Sequence, residues 1–109
     1  MGIKEARAEV VYLLAPAGEP RLELLCYDSP PRGKALAENS RADTIGLRHL
    51  ALRVDDIEAT AKRLREAGFK VFSSPVTVPS GIVEHSAGEK TLCYFLDPDG
   101  VLLELAQYD

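Results

Sequence analysis

Two glutamates stand where a carboxylate is hard to accommodate. Glu23, in Leu22-Glu23-Leu24-Leu25-Cys26-Tyr27-Asp28, and Glu104, in Leu103-Glu104-Leu105-Ala106-Gln107-Tyr108-Asp109, each interrupt an apolar run of strand character. A carboxylate there is costly to bury unless something pairs with it, so each glutamate faces water or holds a partner. A third strand-like run, Leu47 to Val54, carries His49 on the face opposite Leu50 and Leu52. Carboxylate and imidazole are the side chains of proton transfer and of cation binding through oxygen and nitrogen. Residue types alone leave both chemistries open.

The glutamate segments are copies of one another. Upstream, Tyr12-Leu13-Leu14-Ala15-Pro16-Ala17-Gly18 lines up with Tyr94-Phe95-Leu96-Asp97-Pro98-Asp99-Gly100, and one extra residue between Gly18 and Leu22 shifts the register. A repeat at this spacing means two copies of one supersecondary unit.

The elements that must position these residues follow from pattern. Ala8 to Leu14 and Arg21 to Tyr27 read as a hairpin across a turn at Ala15-Pro16-Ala17-Gly18-Glu19-Pro20. Ser29 to about Thr44, with Pro30-Pro31 and Arg32-Gly33, reads as a linker with a helical turn near Ala35 to Glu38. After the Leu47 to Val54 strand, Asp55 or Asp56 is placed to cap a helix whose apolar stripe is Ile57, Ala61 and Leu64. Lys62, Arg63 and Arg65 suit its C-terminal end, and Gly68 its C′ position. Phe69 to Ser73 reads as a short strand, and Ile82 to about Lys90 fits either a loop or an irregular strand. Thr91 to Leu96 and Val101 to Tyr108 form a second hairpin, with Gly100 left-handed in the turn. In that register Tyr94 lies opposite Glu104 and shares its face, while Cys93, Phe95, Leu103 and Leu105 face the core.

Composition narrows the function. The 109 residues are 46% hydrophobic and 28% charged with net charge −4, which describes one globular domain without a nucleic-acid binder's basic excess. No apolar run approaches the roughly 20 residues of a membrane-spanning helix. Met1 to Ala6 lacks an apolar signal core, and Ala6 breaks the myristoylation pattern, so a cytoplasmic address is expected. Cys26 and Cys93 fit no metal-knuckle or disulfide spacing and read as two buried free thiols.

The run His49-Leu50-Ala51-Leu52-Arg53-Val54-Asp55-Asp56-Ile57, then Leu64 to Gly68, then Tyr94 to Gly100 and Leu103-Glu104-Leu105, resembles the second half of a vicinal oxygen chelate protein. This is the glyoxalase, bleomycin resistance and extradiol dioxygenase superfamily. Leu22 to Tyr27 followed by Ser29-Pro30-Pro31 resembles the close of its first half. The resemblance implies an α+β fold of paired βαβββ modules forming an open, cup-shaped mixed sheet. Residues 1–28 would then be the last two strands of an incomplete first module, residues 29–46 a linker, and residues 47–109 a complete second module. The first strand and helix of module one, and its second strand, would be missing.

By the same resemblance each module offers one metal ligand from its first strand and one from its last. Carried over by position, the ligands are Glu23, His49 and Glu104, with the fourth on the missing strand. The metal is divalent, and the donor set leaves Zn, Ni, Mn, Fe and Co open. The family resemblance implies a glyoxalase-like lyase or isomerase acting on a small substrate with adjacent oxygens through an enediolate, with Glu104 or Glu23 as the catalytic proton shuttle. One His and two Glu do not match the two-His, one-carboxylate set of ring-cleaving dioxygenases. Tyr94 and Arg53 are candidate substrate contacts, although Tyr94 equally suits core packing and Arg53, Arg48 and Arg32 suit solvent. His85 follows no ligand spacing, and Pro30-Pro31-Arg32-Gly33-Lys34 is not a phosphate loop. The alternatives are a metal-free small-molecule-binding protein of the bleomycin-resistance kind and an inactive shortened module. An isolated hairpin exposes sheet edges and is not stable alone, so a homodimer is expected.

Overall fold

The computed structural model describes residues 5–29, 41–43, 45–79 and 88–109. The expected helical turn near Ala35, Arg32, and the segment around His85 lie outside them. The chain divides into two compact units, Met1–Lys34 and Ala35–Asp109.

The first unit is a hairpin of β1 (Arg7–Leu14) and β2 (Arg21–Ser29), antiparallel in the register Tyr12↔Glu23, Val10↔Leu25 and Ala8↔Tyr27. Val, Tyr and Leu make good strand formers, and Gly18 supplies the turn's positive φ of 88°. Apolar side chains stand exposed on both faces: Val10, Tyr12, Leu14 and Leu25 on one, Val11, Leu13 and Leu24 on the other.

The second unit runs β3 (His49–Arg53), α1 (Ile57–Glu66), β4 (Val76–Thr77), β5 (Lys90–Leu96) and β6 (Leu102–Tyr108). Its sheet order is β3-β6-β5-β4, with β3 parallel to β6 and the other pairs antiparallel. This is the βαβββ module expected from sequence. Helix α1 starts where the Asp56 side chain accepts from Ala59 N at 3.0 Å, and Ile57 N donates to Gln107 Oε1 at 2.8 Å. It ends at Ala67 in a Schellman arrangement: Gly68 N donates to Arg65 O, Phe69 N donates to Leu64 O, and Gly68 has φ 92°. Ile57 and Ala61 pack on Cys93, Phe95 and Leu105, with Val54, Leu64, Val71 and Leu103 around them. One face of the sheet is thereby sealed.

Two elements differ from the sequence expectation. The strand beginning at Leu47 starts at His49. The strand expected at Phe69 to Ser73 contracts to a single bridge, Val71 to Phe95, and regular pairing with β5 resumes at Val76–Thr77. The last backbone bond of this stretch is Phe72 N donating to Tyr94 O at 3.0 Å, and Ser73 O accepts from Arg65 Nη2 at 2.6 Å. Pro75 then has no N–H to offer. Among the described residues no helix is long and apolar enough to cross a membrane.

Candidate functional site

The face of the sheet away from α1 carries the polar chemistry. Cross-strand register puts Lys90, Tyr94, Glu104, Tyr108, His49 and Arg53 on this face, because partners in a ladder share a side. Tyr94 lies directly opposite Glu104, as the sequence predicts, and the small Ala51 flanks Glu104 on β3.

Glu104 is only 2% exposed, and its two oxygens face different partners. Oε2 lies 3.4 Å from His49 Nε2, while Oε1 lies 2.9 Å from Lys90 Nζ. The lysine contact is short but poorly directed, since Oε1 has no well-formed hydrogen bond, so charge rather than alignment carries it. The close contact with Glu104 holds the Lys90 ammonium above the ordinary lysine range, against the opposite pull of burial. Burial, reinforced by the Glu104 charge, pushes the Tyr94 phenol up as well, so Tyr94 stays a neutral hydrogen-bonding group at physiological pH. The His49 ring meets the Tyr94 ring edge to face, 5.4 Å between centroids at 89°. Arg53 and Lys90 both approach the Tyr108 ring, at 5.4 and 6.0 Å.

Of the sequence-predicted residues, His49, Glu104 and Tyr94 therefore meet, and Arg53 shares their face. Glu23 belongs to the hairpin unit, exposed on β2 opposite Tyr12. Among the described residues no group of three or more His, Cys, Asp or Glu side chains could hold a metal. His49 and Glu104 supply one nitrogen and one oxygen donor, and at 3.4 Å apart both could bond one cation at about 2.1 Å. Cys93 is buried on the α1 side, away from this face, where burial pushes its thiol up and Sγ donates to Ser73 O at 3.3 Å. Sequence reasoning missed Lys90. The signal was present: Lys90 is four residues before Tyr94 and so shares its face once the β5–β6 register is known.

Residues 1–105 match the family described as Glyoxalase/Bleomycin resistance protein/Dioxygenase superfamily. The chain belongs to this superfamily. It is 34% identical over 102 residues to the Escherichia coli (strain K12) protein YaeR, covering 94% of this chain and 69% of that relative. It is 38% identical over 85 residues to a 2-epi-5-epi-valiolone epimerase from an Actinomyces species, covering 77% of this chain and 43% of that relative. A glyoxalase family protein from Bacillus cereus shares the fold with a TM-score of 0.71 at 22% identity, over 94% of this chain and 62% of the other. The chain thus spans less than half of the epimerase and about two thirds of the other two.

His49 and Glu104 lie on the first and last strands of the second unit, and Glu23 lies on the second strand of the hairpin unit.

Proposed function

We propose that this superfamily member is a divalent-metal-dependent lyase or isomerase of the glyoxalase kind, acting on a small substrate with adjacent oxygens. The observation that carries this reading is a carboxylate buried at 2% exposure with an imidazole nitrogen 3.4 Å from one oxygen. His49 and Glu104 would hold the ion. When bound, the ion supplies a Lewis acid for two neighbouring substrate oxygens. The chain's own residues do the rest. Glu104 takes up and returns the proton at the substrate carbon. The Tyr94 ring braces the His49 imidazole, and Arg53 at the edge of the same face meets an anionic part of the substrate. The relation to a protein named as an epimerase supports this choice of reaction class.

The exposed apolar faces of β1 and β2 support a homodimer in which a second copy covers them. The free Cys26 and Cys93 suit a reducing cytoplasm.

Titration of the purified protein with Co(II), followed by visible absorption, tests the site. His49→Ala and Glu104→Ala should each weaken binding at least about tenfold. Equal binding by both variants and the parent would overturn the proposal. It would leave the metal-free binding protein, in which the Lys90 ammonium beside Glu104 balances the carboxylate charge without a metal.

A further inference from the structure

The two glutamates of the repeat differ in one neighbour. Counting back from the aligned pair Tyr94 and Tyr12, the position of Lys90 in the second copy is Ala8 in the first. Their cross-strand partners correspond too, since Lys90 lies opposite Tyr108 and Ala8 opposite Tyr27. Only the second glutamate has a lysine at that place, and this lysine is well held. Its side chain is 16% exposed, with Nζ 2.9 Å from Glu104 Oε1 and 6.0 Å from the centre of the Tyr108 ring.

We infer that Lys90 is a positioning residue that reserves Oε1 of Glu104, limiting this ligand to Oε2 and weakening its hold on the cation. The inference rests on the metal reading above. Its basis is the division of the carboxylate between partners, Oε1 to the ammonium and Oε2 to the imidazole. A carboxylate with both oxygens free can grip a cation through both, whereas one with an oxygen committed to a fixed ammonium binds through the other alone. The ammonium's charge also opposes a second cation nearby. Oε1 has no well-directed hydrogen bond to take over if Lys90 is removed. Outer-shell partners of this kind change metal affinity by about 10–100-fold. Their usual effect is to strengthen the ligand, but a cationic partner on the ligand itself acts in the opposite sense.

The test is a Co(II) titration of the whole chain and its Lys90→Gln, Lys90→Met, Lys90→Arg and His49→Ala variants, read by visible absorption. Lys90→Gln, which removes the charge but can still donate to Oε1, should bind about tenfold tighter. Lys90→Met, with a stem of similar length, should shift the same way if glutamine disturbs folding. Lys90→Arg should stay within about twofold of the parent, because the charge is kept. A structural role alone would make the neutral variants bind more weakly. Neutral variants that bind equally or more weakly, while His49→Ala still abolishes binding, overturn the inference and leave the metal site standing. Binding that is absent, or unaffected by His49→Ala, overturns both.

Discussion

Tyr12 opposite Glu23 in β1–β2 and Tyr94 opposite Glu104 in β5–β6 are the same local structure built twice. The turns agree as well. Gly18 N donates to Ala15 O and Gly100 N to Asp97 O, at 2.8 and 3.1 Å, and the two glycines have φ 88° and 85°. Yet Glu23 is exposed in its hairpin and Glu104 is sealed at 2%. The second copy gains β3 alongside β6, the helix behind it and Lys90 in front. A shared register therefore places a glutamate, but the neighbouring elements decide whether it becomes a site. Free carboxylates on a wet strand and engaged carboxylates in a site can come from one sequence pattern.

This contrast can be broken most forcefully through packing. Phe95→Ala should cost about 3–5 kcal/mol in urea unfolding, because it empties the core beneath α1. Val11→Ala, at an exposed strand position, should cost less than about 1 kcal/mol. If Val11→Ala matched Phe95→Ala, the hairpin would be covered in solution, and the contrast between the units would belong to the single chain alone.

A smaller effect isolates the glutamates. Glu104→Gln removes the counter-charge of Lys90 and should destabilise by about 1–3 kcal/mol. Glu23→Gln should change stability by no more than about 0.5 kcal/mol. Equal costs, measured by the same unfolding curves, would show that both carboxylates are engaged.

The smallest expected effect is a likeness rather than a difference. No atom lies within 4 Å of a Cβ built at Gly18 or Gly100, so the cost of Gly→Ala at either comes from positive φ alone. Each substitution should therefore cost about 1 kcal/mol, alike within the error of thermal unfolding. A cost several times larger at Gly100 would show that tertiary packing also loads that turn.

Much of the module was legible because its signals are local. Asp56, the apolar positions Ile57, Ala61 and Leu64, and Gly68 define α1 within a dozen residues of chain, and the structure uses each as expected. The Asp97 to Gly100 turn predicts the β5–β6 register, and with it the pairing of Tyr94 and Glu104. The extent of the strand expected at Phe69 to Ser73 was not legible, because its pairing depends on distant β5: only Val71 bridges to Phe95, and pairing resumes in a shifted register at Val76↔Leu92. Lys90 was overlooked because the residues before it carry no clear strand pattern, so its place on the face depended on extending β5 backward.

Sequence by itself determined the duplication, the turns, the capped helix and the alternation that keeps His49 and Glu104 off the core face. These depend on preferences acting across a few neighbouring residues. Tertiary structure alone decided that β3 lies parallel to β6, that Glu104 is buried while Glu23 is not, and that an ammonium and an imidazole divide one carboxylate between them. Burial and charge pairing depend on which distant segments are brought alongside. Two identical strand patterns can therefore hold carboxylates of different chemistry.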